Sequence, residues 1–203
     1  METRLAKIIS VVFHPILMPT YLIGMLLNLN AYFALVLTAK AKIMLLGMVF
    51  LSTCIFPMAL IFLFIHSGKM LSLQMEKRQE RTITLLAISM FYYITWWMLG
   101  RMQLSPVFSV FIIGVFYTSV FTLTINLFMK ISLHMIAMGG ATGLFVGLSL
   151  LLLLPLQSIV VIVILLSGII GFARLKLNSH NPAQIYVGWI VGMAVMLSVL
   201  NFF

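Results

Sequence analysis

The chain has no aspartate, three glutamates and one cysteine, and each shortage excludes a kind of chemistry. Paired-aspartate metal chemistry, aspartyl-phosphate nucleophiles and Ser-His-Asp triads all need carboxylates that the sequence does not contain. Because Cys54 is the single cysteine, an intrachain disulfide and a thiolate metal cage are excluded too. Chemistry based on histidine, arginine and hydroxyl groups stays open.

Charged side chains are scarce as well, at 7% of the 203 residues, whereas about 25% is usual in a soluble domain. Apolar residues make up 64% of the chain, and the mean hydropathy is +1.24. Several apolar runs reach the roughly 20 residues that a helix needs to cross a bilayer, whereas barrel strands would alternate over about half that length. The sequence therefore predicts an all-α fold, a polytopic transmembrane bundle of six to seven helices that forms a single domain over residues 1–203.

Seven apolar runs are candidates for spanning helices. We place them at 8–27, 43–65, 83–99, 106–128, 133–154, 158–173 and 183–202. The first run contains His14, Pro15 and Pro19 near its start, and the sixth is short. Either of these two could be re-entrant instead of spanning.

The basic excess points to a lipid partner. The formal net charge is +9, and no soluble basic domain exists, which favours anionic lipid head groups and not nucleic acid as partners. With seven spans, every basic residue except Lys40, Lys42 and Arg101 falls on the face of the N-terminus. The positive-inside rule places that face in the cytoplasm. Several of its basic residues are also candidates for chemistry, however, so orientation stays open.

Small residues form a stripe on two of the predicted helices. Gly139, Gly143 and Gly147 recur every fourth residue on the fifth span, and Gln184, Gly188 and Gly192 do so on the seventh. Such stripes let helix backbones approach closely in lipid. We therefore predict that the fifth and seventh spans pack tightly against each other.

Two polar inserts on the N-terminal face suit phosphate binding. Lys130, Ser132 and His134 open the fifth span, where the helix dipole favours an anion and an imidazole lies within one turn. The ordinary alternative is an N-capping serine and an interfacial histidine. Arg78 and Arg81, three residues apart, could hold phosphate oxygens from one helix face, or could belong to a solvated juxtamembrane turn.

A third insert, residues 174–184, carries Arg174 and His180 at the membrane boundary. Each alone is unremarkable there. Three inserts, however, lie on one face, and each supplies an arginine or a histidine. This favours a single site formed by all three, because ionisable groups at the membrane boundary are usually functional. His14 shares the face, but a structural role is favoured for it.

The third insert resembles the third motif of the type 2 phosphatidic acid phosphatase superfamily. That motif reads Arg, five residues, His, three residues, Asp. It is matched at Arg174 and His180, with Gln184 in the place of the aspartate. Gln184 can accept a hydrogen bond from the histidine but brings no charge, which leaves Glu76 or Glu80 as an alternative source of a carboxylate.

The other two motifs are matched in part, and the resemblance covers roughly residues 74–203. The second motif, Pro-Ser-Gly-His, keeps its serine and histidine at Ser132 and His134. The first, Lys, six residues, Arg-Pro, keeps its arginine at Arg81, with Gln74 where lysine belongs. The chain is thus similar to short hydrophobic members of the family in bacteria, which implies the bacterial inner membrane.

The resemblance implies a metal-independent phosphatase, with no cofactor, that acts on a lipid phosphate or pyrophosphate. His180 would be the nucleophile that forms a phosphohistidine, and His134 the general acid. The phosphoryl charge would be held by basic and hydroxyl groups, namely Arg174, Arg81, Arg78, Ser132 and Lys130. The alternatives are a lipid head-group or phosphoryl transferase, and a catalytically silent lipid-phosphate binder or transporter.

Overall fold

The computed structural model describes residues 2–68 and 78–202. Helix accounts for 83% of the protein, and the described residues contain no strand, which confirms the all-α prediction. Seven of the described helical segments are long and apolar enough to cross a membrane, and each overlaps one predicted run. They are Thr3–Leu27, Ala39–His66, Gln79–Gly100, Pro106–Asn126, Leu133–Leu151, Gln157–Lys176 and Pro182–Phe202. The sixth, at 20 residues, has the length of a full span.

Two of these segments are interrupted by non-α turns. In chain order the helices are α1 Thr3–Val12, α2 Met18–Leu27, α3 Tyr32–Leu35, α4 Ala39–Phe50, α5 Phe56–His66, α6 Arg78–Gly100, α7 Pro106–Asn126, α8 Leu133–Leu151, α9 Gln157–Lys176 and α10 Pro182–Phe202. A 3₁₀ turn at Pro15–Leu17 separates α1 from α2, and a π turn at Leu51–Ile55 joins α4 to α5. The first interruption matters for the site described below.

The chain forms two compact units. The first, which we call the N/C unit, comprises residues 1–18 and 130–203, and the second, the central unit, comprises residues 19–129. The N/C unit contains α1, the 3₁₀ turn, α8, α9 and α10. The stretch that resembles the phosphatase family, residues 74–203, contributes to both units.

In the N/C unit, α8 and α10 pack backbone against backbone. A Cβ atom on Gly139 would collide with the carbonyl group of Trp189, and one on Gly192 would collide with the carbonyl of Ile136. A Cβ on Gly143 would lie 2.7 Å from the carbonyl oxygen of Met193. Only glycine permits this approach, which confirms the predicted tight packing of the fifth and seventh spans.

In the central unit, polar side chains join the helices instead. The hydroxyls of Ser89 on α6 and Ser119 on α7 lie 2.8 Å apart, and Asn126 Nδ2 of α7 donates to Thr82 Oγ1 of α6 at 3.0 Å. Thr95 Oγ1 of α6 lies 2.9 Å from Ser52 Oγ in the π turn. Such interhelical hydrogen bonds stabilise helix association where no water competes.

Candidate functional site

The insert between α9 and α10 is shaped by local hydrogen bonds. After α9, Asn178 adopts a left-handed conformation with φ 50°, and the N–H of Ser179 donates to the carbonyl of Arg174 at 3.2 Å. The N–H of Asn178 donates to the carbonyl of Leu175 at 2.9 Å, which completes a Schellman motif. Asparagine tolerates the positive φ better than most residues. The chain therefore reverses within a few residues, and His180 follows directly after the reversal.

A reciprocal capping box starts α10. The N–H of Gln184 donates to Asn181 Oδ1 at 2.9 Å, and the N–H of Asn181 donates back to Gln184 Oε1 at 3.4 Å. Pro182 takes the first helical position, where its missing N–H costs nothing. Gln184 is therefore a helix-capping residue as well as the residue that follows His180 by one turn.

The same amide oxygen contacts the predicted nucleophile. His180 Nδ1 lies 3.0 Å from Gln184 Oε1. Because a backbone N–H also donates to this oxygen, the amide is fixed with Oε1 towards the histidine, and an amide oxygen only accepts. Nδ1 of His180 therefore carries the proton, and in the neutral ring the lone pair lies on Nε2. Gln184 thus orients the imidazole through an oxygen atom that carries no formal charge.

The start of α8 lies against this insert. The N–H of Ser132 donates to the carbonyl of Gln184 at 3.4 Å. Gly188 makes room for the contact, since a Cβ there would lie 3.0 Å from the carbonyl oxygen of Ser132. Ser132 occupies the N-cap position of α8, yet its side chain makes no capping hydrogen bond. Its hydroxyl is fully buried and has no protein partner, so Ser132 holds the N-cap position considered for it without the usual side-chain cap.

His134 is buried inside the protein. It is 8% exposed, and its Nε2 lies 2.9 Å from the backbone carbonyl oxygen of Ser10 in α1. The ring of His14 packs edge-on against the ring of His134, with centroids 5.7 Å apart. His14 also has the structural role that we favoured, because its Nδ1 accepts the N–H of Ile16 at 3.3 Å and so caps the 3₁₀ turn.

Arg174 supplies positive charge to this cluster. The guanidinium and the His180 ring both act electrostatically on His134, and Arg174 acts on His14 as well. Arg174 is half-buried, and its Nε has no hydrogen-bond partner in the protein. A buried donor without a partner is costly unless a ligand satisfies it. Arg174 Nε and the Ser132 hydroxyl are thus two buried donors of this unit that an anion could satisfy.

The remaining predicted residues are one lysine in the N/C unit and two arginines in the central unit. Lys130 belongs to the N/C unit and is exposed. Arg78 and Arg81 lie in the first turn of α6 in the central unit, where Arg81 is half-buried. Their membership of the site stays a prediction. Of the two glutamates considered as a source of charge, Glu80 is buried in the central unit, and Glu76, with Gln74, lies outside the described residues.

Two groups near the site were not predicted from the sequence. One contacts His134, and the other caps α10 beside His180. The first is the Ser10 carbonyl, for which the only signal is the His14-Pro15 pair that ends α1. The second is Asn181, whose capping role is readable from the spacing Asn181, Pro182, Gln184. Across residues 2–68 and 78–202, no three His, Cys, Asp or Glu side chains are grouped so that they could hold a metal ion.

No protein-family model, curated protein or solved structure matches the chain. Function is therefore inferred from the chemistry of the residues.

Proposed function

We propose that the protein is a phosphatase of the membrane that hydrolyses a lipid phosphate or pyrophosphate through a phosphohistidine on His180. The hydrogen bond between His180 Nδ1 and Gln184 Oε1 carries this proposal, because it selects the tautomer whose lone pair is on Nε2, the atom proposed to attack phosphorus. A histidine oriented in this way by a third group is the arrangement expected of an activated nucleophile. The proposed location is the bacterial inner membrane.

The cluster contains groups for both halves of such a reaction. In the first, His180 Nε2 attacks phosphorus, the bond from phosphorus to the lipid oxygen breaks, and the imidazolium form of His134 gives a proton to that oxygen. In the second, His134 takes a proton from water, the water oxygen bonds to phosphorus, and the phosphorus–nitrogen bond breaks to release inorganic phosphate. Arg174 and the Ser132 hydroxyl would stabilise the charge on the phosphoryl oxygens. Lys130, in the same unit, is proposed to add positive charge, and the part played by Arg81 and Arg78 stays a prediction.

One assay tests the reaction. Purified protein in detergent, with EDTA present, is expected to release inorganic phosphate from phosphatidate. His180→Ala and His134→Ala are each expected to abolish release, whereas His66→Ala, at the end of α5 in the central unit, serves as a matched histidine control. With phosphatidate labelled in its phosphate group, label retained by His180→Ala as fully as by the unaltered protein would contradict the phosphohistidine, as would full activity of His180→Ala.

A silent lipid-phosphate binder is the second candidate, and the neutral Gln184 favours it. In serine proteases, an amide in place of the orienting carboxylate costs about four orders of magnitude in rate. Phosphatidate binding without phosphate release would support this candidate. Transfer of phosphate to an acceptor lipid, in place of release, would instead identify a phosphoryl transferase.

A further inference from the structure

The break in the first span has a specific cause. Pro15 has no N–H, so the carbonyl of Val11, four residues earlier, lacks its usual helical donor. The N–H of His14 donates to that carbonyl instead, at 3.2 Å. In an uninterrupted helix the same N–H would have bonded to the carbonyl of Ser10. The break therefore redirects one backbone donor and makes the Ser10 carbonyl available at the end of α1.

The side chain of His134 contacts the Ser10 carbonyl in place of that backbone N–H. Its Nε2 lies 2.9 Å from the Ser10 carbonyl oxygen, which can only accept a hydrogen bond. Nε2 of His134 therefore carries a proton in every charge state that keeps this contact. In the neutral ring the lone pair then lies on Nδ1. Any proton that His134 exchanges with a ligand must pass through Nδ1, because Nε2–H is held by the backbone.

We propose that the broken end of α1 is a positioning element for His134, which locks Nε2–H onto the Ser10 carbonyl and presents Nδ1 to the phosphate group of a lipid. Pro15 is a positioning residue in this scheme because it acts only through the backbone. The inference rests on the proposed function for the identity of the ligand. The tautomer itself is a property of the protein without any ligand.

The tautomer of His134 is measured by NMR of the ring nitrogens in ¹⁵N-histidine-labelled protein in phosphatidylcholine nanodiscs. The signals of His134 are assigned as those that disappear in His134→Gln. We expect a protonated Nε2 and an unprotonated Nδ1. In Pro15→Ala, the new N–H is expected to bond to the Val11 carbonyl and return the His14 N–H to Ser10, which displaces His134 and gives a mixture of tautomers. Pro19→Ala, in the same span, is the matched control and should leave the His134 signals unchanged.

Ligand contact is tested in His180→Ala, which cannot turn over the lipid. Addition of dioleoyl phosphatidate to the nanodiscs should shift the Nδ1 signal of His134 and leave Nε2 protonated, and extra phosphatidylcholine should do neither. In the otherwise unaltered enzyme, Pro15→Ala should lower kcat about ten-fold, as a partial loss of general acid–base catalysis does, with KM changed by less than about two-fold.

Separate outcomes distinguish this inference from the proposed function. A protonated Nδ1 in the unaltered protein, a Pro15→Ala variant with unchanged tautomer, or no response of Nδ1 to phosphatidate would each overturn the positioning role. If Nδ1 responds to phosphatidate but the protein releases no phosphate, the positioning role stands and the phosphatase proposal fails.

Discussion

The two units of the protein use polar groups in different ways. In the central unit, polar side chains that join helices also bond to carbonyls of their own helices: Ser89 to Leu85 at 2.7 Å, and Thr95 to Phe91 at 2.8 Å. In the N/C unit, glycines hold α8 and α10 together, and side-chain polar groups gather near the helix ends. Polar side chains thus join helices in the central unit, whereas in the N/C unit several polar groups near the helix ends have no partner in the protein.

Individual atoms of the N/C unit show which polar groups lack a partner. The hydroxyls of Ser10 and Ser132 and the Nε of Arg174 are buried in the N/C unit without a hydrogen-bond partner in the protein. Leaving a buried donor unsatisfied costs about 1–3 kcal/mol, which a protein tolerates where a ligand supplies the missing partner. The backbone contact of α8 with α10 supplies stability without using these groups. The variants described next each change a residue of one of the two units.

The largest effect is expected where α8 meets α10. Gly139→Ala places a methyl group against the carbonyl of Trp189, so the helices must separate, and we expect a loss of about 3 kcal/mol in the free energy of unfolding. Gly168→Ala on α9 is the matched control, because a Cβ there meets nothing within 4 Å. Reversible unfolding in detergent measures both. Equal stability of the two variants would show that glycine packing does not hold the N/C unit together.

The next effect concerns charge at the proposed nucleophile. Gln184→Glu keeps the side-chain length and both hydrogen bonds of the amide oxygen, and it adds the negative charge that stabilises an imidazolium on His180. We expect kcat for phosphatidate hydrolysis to rise at least about ten-fold, since the reverse exchange in serine proteases costs far more.

Gln157→Glu, exposed at the start of α9 in the same unit, controls for added negative charge alone and should leave kcat unchanged. If Gln184→Glu is no faster than the unaltered enzyme, a carboxylate is not what His180 lacks. That outcome would favour an orienting role for residue 184 that the amide already fulfils.

Local patterns in the sequence predicted much of the fold and part of the site. Apolar runs gave the seven spans, and the four-residue spacing of small residues gave the contact between α8 and α10, because both depend on helix periodicity. The spacing of His180 and Gln184 likewise places them one turn apart. The contact of His134 with Ser10 was not predictable, because 124 residues separate them and the acceptor is a backbone carbonyl, for which the His14-Pro15 pair signals only a helix end.

The smallest effect is expected in the central unit. The Ser89 and Ser119 hydroxyls should couple by about 0.6 kcal/mol, the average for such bonds within a membrane, because the separated helices find other partners for these groups. A double-mutant cycle of Ser89→Ala and Ser119→Ala, read by unfolding in detergent, measures this coupling. Ser109 provides the control, since its hydroxyl bonds to the carbonyl of Pro106 in its own helix, and Ser109→Ala should not couple to Ser89→Ala.

Phosphate release should persist in all these variants. A variant of the Ser89 and Ser119 pair that stays folded but releases no phosphate would place chemistry in the central unit and end the division between the two units.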